Sequence, residues 1–180
     1  MTDTENTKKS IPMKRIEVEK LTLNIGAGKD QNLLTKGVKL IKNLTGVEPV
    51  KTFTSKRIPS WGLRPGLPIG CRITLRGKRA YDLIPRLLDA KSGSLNESHF
   101  DDNGSISFGI PEYIDIKDAK YDPDIGIIGL QACVTLKRPG FRIKKRRIRK
   151  KKIPPKHRIT KQDAVEFMKS RFSVKIGEQE

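Results

Sequence analysis

Residues 137–161 contain fourteen Lys or Arg residues and no Asp or Glu. No hydrophobic core can absorb such a segment, because each unpaired buried ion costs several kcal/mol. The fold must therefore come from the rest of the chain, with this stretch on its surface or projecting from it. The segment supplies most of a net charge of +18 at pH 7. Charge of that density calls for a partner rich in negative charge. A polyphosphate backbone is the usual one, because binding releases its condensed cations. The feature points to nucleic acid before any motif is read, without saying which.

A chain of 180 residues can form one domain with a core, or a domain with extensions. With 35% hydrophobic and 32% charged residues, only part of it can be core. No run approaches the roughly 18 apolar residues of a membrane span. The polar start, with Asp3 and Glu5, lacks the apolar centre of a signal peptide. The expectation is a cytoplasmic protein with no membrane partner, a polar N-terminal extension at 1–14 and a single domain at 15–180. Cys71 and Cys133 stand alone in apolar, strand-like runs and read as reduced core thiols. His99 and His157 are too few and too scattered for zinc, so neither metal nor cofactor is expected.

Charge is segregated along the chain. From 49 to 81 there are eight basic residues and no acid, whereas 82–136 carries ten acids against four bases. A surface tuned only for solubility would mix the signs. Blocks of this kind suggest one side that meets nucleic acid and one that faces away.

Periodicity predicts a strand at 15–26, whose apolar phase slips at Glu19-Lys20, as at a bulge. A helix follows at 32–45, closed by Gly46. Short strands are predicted at 50–54 and 70–76, and a helix at 78–90, kinked or delayed by Pro85. Asp102-Asn103-Gly104 marks a hairpin turn, 129–137 a further strand, and Thr160 with Asp163 the start of a last helix. Short links between strands favour an α+β fold: an antiparallel sheet with helices packed on one face and the other face open. That open face would present Thr22, Asn24, Arg72, Thr74 and Arg76, a polar and basic set suited to RNA.

Three segments invite chemistry. Gly26-Ala27-Gly28-Lys29 sits between strand and helix but matches neither nucleotide-binding fingerprint. It reads as a tight turn, with contact of its amides and Lys29 to an RNA phosphate as the weaker alternative. Residues 55–69 hold three Pro, two Gly and the only Trp, flanked by Lys56, Arg57 and Arg64. Either Trp61 folds into the core, or the loop protrudes and stacks on bases or ribose. The basic extension at 138–159 interleaves Ile143, Ile148 and Ile153 with Lys and Arg. Apolar positions five residues apart form no continuous stripe, which favours RNA over a membrane surface. So few apolar residues against such repulsion predict disorder in the free protein. No arrangement of Ser, His, Asp or paired carboxylates supports catalysis, and the chain does not read as an enzyme.

Two runs resemble the universal large-subunit ribosomal protein five family: Leu21-Thr22-Leu23-Asn24-Ile25-Gly26-Ala27-Gly28, and the stretch from Arg64-Pro65-Gly66 through Gly70-Cys71-Arg72-Ile73-Thr74-Leu75-Arg76-Gly77. Phe100-Asp101, Phe108-Gly109-Ile110 and Arg138-Pro139-Gly140-Phe141 follow in that family's order, the last resembling its archaeal or eukaryotic branch. The resemblance implies a protein that binds 5S rRNA and helps attach it to the large rRNA in the central protuberance. Expected rRNA contacts are Asn24, Lys29, Lys56, Arg57, Arg72, Thr74, Arg76, Arg142, Lys144, Lys145, Arg146 and Arg147. The loop residues Ser60, Trp61, Gly62, Leu63, Arg64, Pro65 and Gly66 are expected at the elbow of P-site tRNA. Neighbouring ribosomal proteins, including one in the small-subunit head, complete the implied partners. Charge alone equally allows a free RNA chaperone or assembly factor, and the Gly-Ala-Gly-Lys turn alone would suggest a nucleotide-dependent enzyme.

Overall fold

Val18, Leu21, Leu23 and Ile25 turn one face of the first strand, β1 (Glu17–Gly26), toward a single continuous core. In the computed structural model, which describes residues 12–177 except 118, β1 is the central strand of a five-stranded antiparallel sheet. Residues 1–11 of the expected N-terminal extension lie outside the described residues, and Pro12–Lys14 form an exposed 3-10 turn. The order across the sheet is β2 (Val50–Phe53), β3 (Pro68–Leu75), β1, β6 (Leu130–Lys137) and β5 (Ser105–Ile110). The phase slip at Glu19 is a bulge: Val18 pairs with Leu136, and Lys20 with Thr135, so one residue of β1 is left over.

The helices supply the second layer. Helix α1 (Gln31–Thr45) begins where the Asp30 carboxylate accepts from the amides of Asn32 and Leu33, and ends at Gly46 with φ +69. Its Gly37 lies close on β1 and β3, since a Cβ there would meet Ile25 and Cys71 at 3.2 and 3.3 Å. Helix α2 (Lys78–Asp89) runs through Pro85 without starting late. The proline is exposed and removes one amide, while Leu83, Ile84, Leu87 and Leu88 are buried and hold the helix together. Tyr81 of α2 accepts the Val18 amide at 2.9 Å through its hydroxyl, in the stretch that the bulge disturbs. Helix α3 (Lys161–Phe172) adds Ala164 and Met168 to the same core.

A small parallel pair, β4 (Ser94–Asn96) with β7 (Lys175–Gly177), joins the segment after α2 to the one after α3. The acidic segment packs on the helical side. Lys39 of α1 reaches Asp122 at 2.8 Å and Asp124 at 3.0 Å. These partners raise the Lys39 pKa, and Lys39 in turn lowers that of Asp122. These two aspartates therefore lie on the helical side of the sheet.

The basic extension is anchored to the body near its two ends. Phe141 packs edge-on against His157, and Ile153 and Ile159 are buried. Ile159 closes over the hairpin turn at Gly104, where any Cβ would come within 2.5 Å of its side chain. The first arginine of the segment is interior. Arg138 is 8% exposed, pairs with Asp163 at 2.9 Å and donates to the Arg158 carbonyl at 3.0 Å. Asp163 also accepts from the Thr160 amide and hydroxyl, so one carboxylate caps α3 and ties down both ends of the arm. Asp163→Ala is expected to cost about 3 kcal/mol in urea unfolding, against roughly 1 kcal/mol for a lost cap alone. A loss no larger than the cap value would show that Arg138 escapes to water.

Candidate nucleic-acid interface

Strand register sets out the uncovered face in rows. Thr22 stands opposite Thr74 on one side and Cys133 on the other; Asn24 stands opposite Arg72 and Gln131. On β5, Ser107 and Gly109 extend these rows from Cys133 and Gln131. Arg72, Thr74, Gln131, Ser107 and Gly109 are exposed, and no helix covers them. Cys71 is a core thiol, and burial pushes its pKa up to about 11. Cys133 corrects the expectation of a second one: its register puts it among the uncovered polar residues, half-buried. Partial burial still raises its pKa.

Besides Arg72 within it, cations border this face. Arg76 follows the end of β3, and Lys137 ends β6 opposite Glu17, which it approaches at 3.5 Å. At the other end of β1, Gly26 pairs with Gly70, close to where the loop before β3 departs. The arm and the loop thus leave the sheet at opposite ends, with the open face between them.

The loop is a finger with its own small ladder. The Ile58 amide donates to the Leu63 carbonyl at 3.1 Å, and the Leu63 amide returns a bond to Ile58 at 3.0 Å. Lower down, Thr54 donates to Leu67 and Gly66 donates to Thr54, both at 2.9 Å. Trp61 points outward and is 68% exposed, which decides between the two readings of this residue. Ser60, Gly62, Arg64, Pro65 and Gly66 are exposed with it, as are Lys56 and Arg57. Leu63 is a correction: at 7% exposure it anchors the finger and is not available as a contact.

The turn before α1 is no phosphate cradle. The amides of Ala27 and Gly28 both donate to the Ile69 carbonyl, at 2.9 and 3.0 Å. The amides of Asn32 and Leu33 are taken by Asp30. Lys29 keeps an exposed side chain, but it lies beside Gly62 and so belongs with the finger rather than with the sheet face. On the arm, Arg142, Lys144 and Arg147 are exposed. Arg146 is also exposed and bends back to donate to the Arg149 carbonyl at 2.9 Å, while Lys145 pairs with Glu19, the bulge residue. Two of the expected arm contacts are therefore partly committed within the chain. Among the described residues, no His, Cys, Asp and Glu cluster in a way that would hold a metal ion.

Comparison with known families settles the kinship. A model described as ribosomal protein L5 matches residues 12–64, and a second, describing the C-terminus of the same ribosomal family, matches residues 68–172. The chain belongs to the ribosomal protein L5 family. Proteins named large ribosomal subunit protein uL5 from three archaea are similar along nearly their full length. The Nanoarchaeum equitans protein is 46% identical over 92% of this chain and 98% of its own. That of Sulfurisphaera tokodaii is 44% identical over 93% and 95%, and that of Sulfolobus acidocaldarius 43% over 97% and 98%. As an L5-family protein it is a ribosomal component rather than an enzyme. The finger of this family member yields a direct check on its anchoring. Leu63→Ala should cost about 2 kcal/mol in denaturant unfolding, and Trp61→Ala no more than about 0.5 kcal/mol. Equal costs would mean that both side chains share the interior.

Proposed function

We propose that this L5-family protein is a structural constituent of the large ribosomal subunit that binds 5S rRNA and helps attach it to the large rRNA in the central protuberance. The observation that carries this reading is the uncovered sheet face, with Arg72 within it, Arg76 at its border and the cationic arm leaving the same end. Phosphates meet the arginines and lysines, which fixes register, while the flat polar rows read the shape of folded RNA. The expected contacts on and beside the sheet are Asn24, Arg72, Thr74 and Arg76, and those on the arm are Arg142, Lys144, Lys145, Arg146 and Arg147. Lys145 would have to exchange Glu19 for a phosphate.

The finger reaches toward P-site tRNA, and Lys29, Lys56 and Arg57 beside its base are further rRNA contacts. Trp61 supplies an exposed stacking surface and Arg64 a phosphate partner. Neighbouring ribosomal proteins, including one in the small-subunit head, complete the partners. Its place is the cytoplasmic ribosome.

Two measurements test the two halves of the proposal. Arg72→Ala with Arg76→Ala should weaken 5S rRNA binding and lower the slope of log affinity against log salt by about 2. A slope unchanged from the parent removes the phosphates from that face. Trp61→Ala with Arg64→Ala should leave 5S rRNA affinity intact and weaken P-site tRNA binding to reassembled subunits about tenfold, or 1.4 kcal/mol. An equal loss of 5S rRNA affinity would move the finger onto 5S rRNA.

A further inference from the structure

The uncovered face is hollowed toward the finger: a shallow depression of about 580 Å³ is lined by Asn24, Gly26, Lys91, Gly109, Gly129 and Gln131, and Arg72 stands opposite Asn24 in the same row. A second hollow of about 390 Å³ shares Gly109 and Gln131 with it and continues past Ser107 and Cys133.

The glycines of this zone are not equivalent. At Gly129 a Cβ would stand 2.8 Å from the Pro111 carbonyl oxygen, and at Gly70, paired with Gly26, 2.6 Å from that of Ile25. The fold itself requires those two. Gly26 and Gly109 are different. Neither has a positive φ, and a Cβ at either would meet nothing within 4 Å. Both lie in strands, where glycine weakens the fold relative to a residue with a side chain. Nothing within the described chain requires a missing side chain at these positions, yet both line the same hollow.

The polar groups beside them narrow the chemistry. The Asn24 side-chain amide donates to the Gln131 side-chain carbonyl at 3.1 Å. The pair keeps free donors on both residues and a free acceptor on Asn24. A phosphate needs donors and favours cations. A ribose 2′-hydroxyl, which both donates and accepts, suits a neutral amide pair. His99 lies at the second hollow, and burial followed by the charge of Lys91 lowers its pKa.

We propose that this glycine-floored hollow is an RNA subsite that takes the ribose edge of a folded strand at van der Waals distance, with Gly26 and Gly109 as its steric determinants. The inference rests on the reading of the open face as an RNA surface and adds to it where RNA must approach most closely. The backbone itself is the contact surface at these positions, so one added methyl group should be felt.

The test uses the full chain with Gly26→Ala and Gly109→Ala, and Gly177→Ala as a control whose added methyl also meets nothing but which lies in β7. Thermal unfolding of the three should match or exceed the parent, since alanine is accommodated at each. Affinity for 5S rRNA should fall about tenfold, or 1.4 kcal/mol, for each of the first two, at an unchanged salt slope, and stay at the parent value for Gly177→Ala. Parental affinity in Gly26→Ala and Gly109→Ala overturns the subsite. A fall accompanied by a flatter salt slope also overturns it, because phosphate and not ribose would then lie there. If the parent binds 5S rRNA no better than an unrelated RNA of equal length, the 5S assignment fails by itself. The same variants assayed on fragmented large-subunit rRNA then decide the subsite by the same criteria, and parental failure to bind that probe too overturns both.

Discussion

Two-residue alternation carried across the sheet is the constraint from which the rest follows. Leu21, Leu23 and Ile25 on β1, Cys71, Ile73 and Leu75 on β3, Ala132, Val134 and Leu136 on β6, and Ile106 and Phe108 on β5 all face the helices. A slip of one residue in any strand would move its apolar set to the outer face. The bulge at Glu19 is tolerated because it lies toward one end of β1, next to the one point where α2 lends a hydroxyl to the sheet backbone. The helices pack on the side of these apolar residues and leave the outer face uncovered. Polar residues there are left uncovered, and the Asn24 amide finds its partner in Gln131 on the same face.

The same economy explains the arm. Its charges cannot be buried, but a few of its residues can be, and those few determine where it leaves the body. Arg138 is the instructive case: it belongs to the basic run by sequence and to the interior by structure. A buried guanidinium without a carboxylate would be strongly destabilising, so its role is inseparable from that of Asp163. Ile159 against the Gly104 turn and Phe141 against His157 complete the anchorage. Beyond these points the arm is held mainly by local bonds and by the pair between Lys145 and Glu19.

What was legible in the sequence was local. The β1 phase slip, the Gly46 stop, the Thr160–Asp163 capping box and the hairpin at 102–104 each depend on neighbours a few residues apart, and each is present in the structure. The outer-face set Thr22, Asn24, Arg72 and Thr74 was legible for the same reason, because alternation assigns a face without knowledge of strand order. Four features were not. The β4–β7 pair joins three-residue segments about eighty positions apart, too short to carry a period. Cys133 looks apolar by type, but its face follows from the β6 register. Leu63 and Trp61 are both apolar in one loop, and only the ladder between Ile58 and Leu63 decides which turns inward. The amides of Ala27 and Gly28 resemble an anion site until the Ile69 carbonyl is found occupying them.

Sheet length gives these parts a common geometry. β1 has ten residues, so the finger and the arm are separated by about 30 Å at the usual rise per residue. That distance is several times the Debye length of about 8 Å at physiological salt. The charges of the two segments are therefore largely screened from one another. Both segments leave the same hydrogen-bonded sheet, which sets the spacing between their points of departure. A partner whose sites match that spacing gains from both contacts, whereas one that does not gains from only one. Discrimination of this kind depends on distance and shape, which a one-sided sheet with an extension at each end supplies without reading a base sequence.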